Sequence, residues 1–326
     1  MVFRRILTSF SHPARRSCVF SLFAAILIPA ALLAQSSPAS LVETLGYPRD
    51  AKLLIVHADD LGMTHSVNAA SIQALESGLV NSGSMMVPTP WFPEIADYAR
   101  NHPNADLGLH LTLTSERLHL RWGPVASTNK VSTLIDPAGY FFHDWESGAH
   151  INPVEAELEI RAQIDKALAM GLHPTHLDSH QYRLIATSKD LFAAFVRVAH
   201  DYNLPFFVAR DWFAQHDYLE PSLTARDIII DHTVTIEPGV KPEAWSDFYT
   251  RAVRNLQPGV TEFVIHPAFD NDEMRAATRE RDTWGAAWRQ RDFDFFTGAQ
   301  FRNLSRDQNI HLITWRELAR ARAQRN

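Results

Sequence analysis

The stretch LLIVHADDLG at residues 53–62 leads from four apolar residues into a histidine, an alanine, two adjacent aspartates and a glycine. An apolar run that ends in turn-forming residues is typical of a buried parallel strand. Two neighbouring carboxylates at the end of such a strand repel each other and are costly to bury, unless a cation binds between them or one acts as a base. Asp59 and Asp60 are therefore candidates for a metal ligand and a catalytic base. An N-cap for a helix that begins near His65 is the simpler alternative, and this stretch alone leaves both open.

Strand and helix patterns alternate along the rest of the chain. The candidate strands are 53–58, 81–87, 105–111, 174–178, 205–208, 228–234, 261–266 and 310–314. The candidate helices lie near 66–78, 91–101, 153–170, 188–202, 241–256, 272–291, 297–307 and 314–324. This alternation predicts a mostly parallel sheet with helices outside it. Seven or eight strands, without a glycine-rich dinucleotide motif after the first, favour a single-domain α/β barrel over an open sheet.

The first 34 residues have the composition of a secretory signal peptide. Four arginines and no acidic residue precede or flank an apolar stretch at 18–33, which Ala34 follows. Cleavage after Ala34 would leave a linker at 35–48 and a barrel domain at 49–326, and the mature protein would be periplasmic or secreted. An uncleaved membrane anchor is the alternative. Cys18 is the only cysteine in the sequence, so the mature protein would have neither a disulfide nor a cysteine metal ligand.

The charge balance disfavours nucleic acid as a partner. The whole chain has a formal net charge of −6, and removing the four arginines of the leader gives −10, from 27 basic and 37 acidic residues. An acidic protein is repelled by phosphate backbones. A mature chain of about 290 residues fits one α/β barrel, with no stable membrane insertion expected after the leader is removed. The oligomeric state stays open, with a homodimer as one arrangement.

Two long segments without clear periodicity, 112–150 and 209–227, follow candidate strands and are rich in aromatic residues. These aromatic residues are Trp122, Tyr140, Phe141, Phe142 and Trp145 in the first segment and Trp212, Phe213 and Tyr218 in the second. Loops after barrel strands line the catalytic face. Their rings are therefore either sugar-stacking surfaces or the contacts that pack the loops onto the barrel, and the sequence leaves both interpretations open.

Three more strand ends carry ionisable residues. His110 ends the apolar run ADLGLHL, and His266 follows the buried segment EFVI just before a proline. In PTHLDSHQ at 174–181, His176, Asp178 and His180 are spaced two residues apart, which places them on one face of an extended strand. A core histidine and a polar surface turn are the simpler explanations of single motifs. Taken together with the aspartate pair, two histidines and a carboxylate would form a divalent metal site with open positions.

At this point the motifs resemble those of the YdjC-type carbohydrate deacetylases, a family that includes chitooligosaccharide deacetylase and hopanoid-associated members. The resemblance rests on HADDLG at 57–62, GLHLTLT at 108–114, PTHLDSHQ at 174–181 and EFVIHP at 262–267, and extends to the helix and strand pattern of 66–87. It implies an irregular TIM-like (β/α) barrel. It also implies an enzyme that uses one divalent metal ion, Mg²⁺ or Zn²⁺, to hydrolyse an N-acetyl group from an amino sugar or glycoconjugate.

The resemblance also implies a role for each matching residue. The metal ligands would be Asp60, His110 and His180. Asp59 would be the general base that activates the metal-bound water, and His266 would be the general acid that protonates the leaving amine. His176 and Asp178 would contact the ligands from behind, and Tyr182 and Arg210 are further candidates for substrate contact.

The sequence departs from the family pattern in two places. His57 stands where the family commonly has Asn, and the residues after His180 are Gln181-Tyr182-Arg183-Leu184 in place of further histidines. Two other functions stay open. A metal phosphoesterase would need a second metal and a basic phosphate clamp, for which Arg183 and Arg210 are the candidates. A non-catalytic glycan-binding barrel would use the aromatic loops alone.

Overall fold

The computed structural model describes residues 40–143, 151–280 and 282–324. The predicted signal peptide at 1–34, the first part of the predicted linker and Trp145 lie outside these residues. Within the described ranges, none of the helices has the length and apolar character needed to cross a membrane.

The described residues form one parallel sheet surrounded by helices. The strands are β1 Lys52–Leu61, β2 Ser82–Met85, β3 Leu107–Leu111, β4 Leu177–Ser179, β5 His232–Thr235, β6 Gly259–Ile265 and β7 Ile310–Leu312. The helices are α1 Leu41–Thr44, α2 His65–Glu76, α3 Phe92–Asn101, α4 Pro153–Ala169, α5 Arg183–Ala186, α6 Lys189–Asp201, α7 Trp245–Arg254, α8 Asp272–Ala277, α9 Ala286–Thr297, α10 Ala299–Asp307 and α11 Trp315–Gln324. The sheet order is β4-β3-β2-β1-β6-β5, with β7 beside the first half of β1. The predicted barrel-type α/β fold is confirmed, in the form of a curled, irregular sheet.

The predicted strand at 205–208 is wrong in detail. This segment contributes isolated bridges, with Phe206 beside Leu177 and Ala209 beside Ile230. Pro205 has no N–H to donate to a ladder, but its carbonyl accepts from the amide of Leu177 at 2.9 Å. The bridges therefore carry main-chain hydrogen bonding onward from β4 toward β5 without forming a regular strand.

The single helix predicted near 272–291 is also wrong, because the chain breaks between α8 and α9. Trp284 adopts a left-handed backbone with φ 51°, which a continuous helix excludes. The side chain of Thr278 then accepts from the amide of Ala286 at 3.2 Å, at the start of α9. This break turns Trp284 and the first turn of α9 toward the C-terminal ends of the strands.

Strand β1 is buried on both of its faces. Leu54, Val56 and Ala58 pack into the larger apolar cluster, and Leu53 and Ile55 pack into a second, smaller cluster. Because side chains alternate along a strand, His57 and Asp59 continue the row that Leu53 and Ile55 begin. This row of side chains, called the inner row below, thus changes from apolar to ionisable toward the C-terminal end of β1.

The other end of the sheet is closed by the start of α11. Trp315 is fully buried, and its indole N–H donates to Glu262 at 3.0 Å. The Trp315 indole stacks on the ring of His176, with centroids 4.9 Å apart. The main-chain amides of Trp315 and Arg316 both donate to Asp106. Val42 of α1, within the predicted linker, joins the same smaller cluster as Trp315.

Candidate metal centre

A kink at the end of β1 brings two neighbouring carboxylates to one side of the strand. The pairing of β1 with β2 shifts register between Ala58 and Leu61, and Asp60 has φ 68°. Asp is among the residues that tolerate this left-handed conformation. As a result, Asp59 Oδ2 lies 3.7 Å and Asp60 Oδ1 lies 3.5 Å from the same atom, Nε2 of His110.

Three buried ligand atoms converge beside this kink. Asp60 Oδ1 lies 3.2 Å from Nδ1 of His180, which in turn lies 3.2 Å from Nε2 of His110. Asp60 Oδ1 is buried and accepts no hydrogen bond of good geometry from the described residues. Two imidazole nitrogens and a carboxylate oxygen are suitable ligands for a divalent cation. The three residues therefore fit a mononuclear metal site.

A carboxylate binds the second ring nitrogen of each imidazole, the one that is not among the three converging atoms. His110 Nδ1 donates to Asp178 at 2.7 Å, and His180 Nε2 donates to Glu116 at 3.0 Å. Such carboxylate–histidine pairs fix the ring orientation and tautomer of metal-binding histidines. Asp178 thus lies behind a candidate ligand, where the resemblance places it. Glu116 was not predicted, because it lies in the long segment after β3 that has no periodic pattern.

Two other groups have suitable atoms within reach of one another: His57, His176 and Asp178, and Asp59, His110 and Asp178. Both depend on Asp178, whose carboxylate is already bound by His110 and by the hydroxyl of Ser84 at 2.8 Å. These groups are therefore better described as a buried hydrogen-bond network behind the first site.

The charges at the site are mutually stabilised. Burial alone would raise the pKa of Asp60, but the Arg289 guanidinium, 2.6 Å away, and the two nearby histidines outweigh it and hold that pKa well below its usual range. Burial would lower the pKa of His180, but Glu116 and Asp60 outweigh it and raise that pKa to about 9. The carboxylates are thus ionised, and the histidine protons are those that a bound cation would displace. Arg289 was not predicted, because its position depends on the unforeseen break before α9.

His266 lies near the same oxygen of Asp59 that His110 faces. Its Nε2 is 3.8 Å from Asp59 Oδ2, and its main-chain amide donates to Asp292 at 3.0 Å. Asp292 also accepts from the indole of Trp245 and the hydroxyl of Tyr249. Burial lowers the pKa of His266 to about 4, against the opposing effect of the nearby aspartates. The imidazole is therefore neutral at pH 7.

Two further predicted residues, His176 and Tyr182, differ in how deeply they are buried. His176 is buried against Trp315, and its Nδ1 bonds to the Thr175 hydroxyl at 3.0 Å. Tyr182 is partly buried against Trp212, and burial together with Asp59 raises its pKa well above the usual value. The rings of His176 and Tyr182 thus pack around the site without joining the ligand cluster.

Arg210 lies at the protein surface, beside Asp231. Its side chain is 55% exposed and lies 3.8 Å from Asp231. Asp231 accepts from the amide of Val260 near the start of β6, whereas His266 follows the end of that strand. The contacts of Arg210 do not test the substrate role predicted for it, and that role stays a prediction.

The aromatic residues of the loops mainly pack the protein. Trp122 is buried, and its indole N–H donates to the carbonyl of Thr114 at 2.7 Å. Phe141 is fully buried, whereas Tyr140 is 40% exposed. In the second loop, the ring of Trp212 packs on Phe207, with centroids 5.0 Å apart. Most of these rings hold the loops in place, and Tyr140 is left with a face open to solvent.

Fold and site together define a barrel-type α/β protein with a cluster of histidines and carboxylates at the C-terminal ends of its strands. The sequence model of the YdjC-like protein family matches residues 53–307. A carbohydrate deacetylase of Thermoanaerobacter pseudethanolicus is 31% identical over 68% of this chain and 84% of its own length. A carbohydrate deacetylase of Thermus thermophilus is 32% identical over 83% of this chain and 95% of its own length. The crystal structure of a candidate cellobiose-phosphate cleavage protein from Enterococcus faecalis superimposes with a TM-score of 0.70 at 27% identity, covering 82% of this chain and 99% of that one.

The chain therefore belongs to the YdjC-like protein family.

Proposed function

We propose that this protein is a metal-dependent carbohydrate deacetylase that acts on an N-acetylated saccharide or glycoconjugate. The observation that carries the proposal is the convergence of Asp60, His110 and His180, with a carboxylate behind each imidazole. The names of the relatives, carbohydrate deacetylases, support the same reaction class.

The proposed reaction is hydrolysis of an amide. A divalent ion, Mg²⁺ or Zn²⁺, held by Asp60, His110 and His180 would polarise the acetyl carbonyl and lower the pKa of a water molecule. Asp59 accepts a proton from the attacking water, whose oxygen bonds to the carbonyl carbon. The carbon–nitrogen bond then breaks, and the products are acetate and a free amine.

His266 completes the proposed proton transfer. Because its imidazole is neutral at pH 7 in the site described here, it must receive a proton during the reaction. Asp59, 3.8 Å away, is the neighbouring group that holds one after water attack. A protonated His266 with so low a pKa is a strong acid, well suited to protonate the leaving amine. Arg289 keeps Asp60 ionised throughout.

The test is acetate release by the chain from about Gln35, stripped of metal and resupplied with Zn²⁺, Mg²⁺, Mn²⁺ or Co²⁺. The substrates are chitobiose, longer chitooligosaccharides and peptidoglycan fragments, with H180A as the control. We expect metal-dependent release from wild type and loss of about 10²-fold or more in the variant. Metal binding without release from any substrate would reject these substrates, and absence of both would reject the enzyme.

The D59N variant separates an enzyme from a glycan-binding barrel. Removing a general base lowers turnover by about 10²–10⁴-fold, whereas the amide of Asn keeps the shape of the side chain. We expect acetate release to fall by this factor while binding of the chitooligosaccharide, measured by calorimetry, stays within about threefold. Full turnover in D59N would show that another group is the base.

We further propose that residues 1–34 direct export, so that the substrate is an extracytoplasmic glycan. The support is the sequence pattern of the leader. Cell fractionation with N-terminal sequencing of the mature protein tests this proposal. A cytoplasmic protein with an intact leader would contradict it.

A further inference from the structure

His57 occupies the layer of the barrel directly beneath the candidate metal centre. It is fully buried, and it follows Leu53 and Ile55 in the inner row of β1. Its Nδ1 bonds to the Ser82 hydroxyl at 3.0 Å, and its Nε2 bonds to the Ser84 hydroxyl at 3.0 Å. Both ring nitrogens are therefore engaged, although none of the roles considered so far uses this residue.

The same Nε2 lies between two carboxylates with separate roles. It is 3.2 Å from Oδ1 of Asp59, the proposed base, and 3.2 Å from Oδ2 of Asp178. Asp178 in turn accepts from Nδ1 of His110, a proposed metal ligand, at 2.7 Å. His57 Nε2 is thus in contact both with the proposed base, Asp59, and with Asp178, the carboxylate that orients the ring of His110.

The contact between Asp59 Oδ1 and His57 Nε2, at 3.2 Å, is electrostatic. The Oδ1 atom of Asp59 is buried and accepts no well-directed hydrogen bond from any of the described residues. The other oxygen of Asp59 faces the imidazoles of His110 and His266, at 3.7 and 3.8 Å. Without a donor at the position of His57 Nε2, two buried carboxylates would face each other, and their repulsion would move the base.

We propose that His57 is a positioning residue that holds Asp59 and the Asp178–His110 pair in fixed relation to each other. The proposal rests on the proposed function for the role of Asp59, but its link to metal binding can be tested without catalysis. His57 stands where the family pattern commonly has Asn, whose side chain is shorter than an imidazole.

Two substitutions of His57 distinguish the contribution of Nε2 from that of Nδ1. The amide nitrogen of Gln in H57Q can occupy the place of Nε2, whereas that of Asn in H57N can occupy only the place of Nδ1. S82A serves as a matched variant, because it removes the partner of Nδ1 and leaves the contacts of Nε2 unchanged. Zn²⁺ affinity is measured by calorimetry, kcat and KM by acetate release, and folding by urea denaturation.

We expect Zn²⁺ affinity to fall by about 10- to 100-fold in H57N, as for other groups behind metal ligands, and by much less in H57Q and S82A. We expect kcat to be at least about tenfold higher in H57Q than in H57N, with KM and the urea midpoint alike in the two. Equal Zn²⁺ affinity and equal kcat in H57Q and H57N would overturn the proposal. If wild type releases no acetate, the proposed function fails, and Zn²⁺ affinity alone decides the role of His57.

Wild-type protein provides a second measurement if both variants fold poorly. In ¹⁵N-histidine spectra, the proposal expects a proton on Nε2 of His57, protected from exchange. An unprotonated Nε2 would overturn the proposal, because its lone pair would then face the two carboxylates and add to their repulsion.

Discussion

Asp60 combines a left-handed backbone with a buried charge, and each is unfavourable on its own. The backbone conformation costs about 1–2 kcal/mol relative to an ordinary one. It allows Asp59 and Asp60 to face the same imidazole, which adjacent residues of a regular strand cannot do. The guanidinium of Arg289, 2.6 Å away, offsets the buried charge. A strained backbone and a buried ion pair at one residue are typical of functional sites.

Glu116 offers a test of the candidate metal centre that leaves its ligands unchanged. The E116Q variant can no longer hold His180 Nε2 by charge, so the ring is less basic and less firmly oriented. We expect divalent metal affinity to fall by about 10- to 100-fold. Calorimetric titration with Zn²⁺ measures the change. E76Q, at an exposed position on α2, is the matched control, and equal affinities in the two variants would argue against a metal at His180.

Glu262 predicts a pH dependence of stability. Burial raises its pKa to about 8, from 4.5. The folded protein therefore holds a proton that the unfolded chain releases above pH 4.5, so this group makes stability fall as the pH rises toward 8. E262Q keeps an oxygen for the Trp315 indole but has no proton to lose.

We expect the unfolding free energy of E262Q, relative to wild type, to increase between pH 5 and pH 8, by at most about 1.4 kcal/mol per pH unit. Urea denaturation at several pH values measures both proteins. Parallel curves for the two would show that Glu262 ionises normally.

At the scale of elements, the turn from β1 into α2 positions the aspartate pair. Gly62 has φ 99°, and its amide donates to the side chain of Asn68 at 2.6 Å. A Cβ at Gly62 would lie 2.9 Å from the Thr89 hydroxyl and 3.2 Å from the Met86 carbonyl. The turn is thus fixed by helix α2 on one side and by the segment after β2 on the other.

G62A and G46A separate backbone strain from crowding. Gly46 has φ 86°, and a Cβ there would meet nothing within 4 Å. We expect G46A to cost about 1 kcal/mol of unfolding free energy through its conformation alone, and G62A to cost at least about 1 kcal/mol more. Urea denaturation of both variants is the measurement. Equal losses would mean that the turn can relax around the added methyl group.

The sequence predicted the elements that end in the site better than those that support it. Strands β1, β3 and β6 are apolar runs that end in Asp or His, so both the strand and its chemistry are visible locally. The kink at Asp60, the Glu116–His180 pair and the break before Arg289 depend on contacts between distant segments, which no local pattern records. The bridges around Phe206 were misread as a strand because β-propensity does not report pairing.

At the scale of the whole molecule, the candidate metal centre joins strands β1, β3 and β4. An ion bound there would hold three parts of the sheet together, and binding to the folded state alone stabilises it by about 2.7 kcal/mol at 100 times the Kd. We expect Zn²⁺ to raise the Tm by several degrees in wild type and not in H180A. Differential scanning fluorimetry measures this, with H102A, exposed at the end of α3, as control. A similar rise in H180A would place the ion elsewhere.

Trp315, with Glu262 and His176, fills the end of the barrel opposite the candidate metal centre. A glycan would therefore reach the proposed ligands from the rim where β1, β3, β4 and β6 end. For a deacetylase this would impose an order on the release of the two products. In the proposed reaction acetate would form next to the proposed ligands, and it would leave after the sugar has moved aside. Turnover would then be limited by departure of the larger product, and long glycans would be turned over more slowly than short ones even where the chemistry is the same.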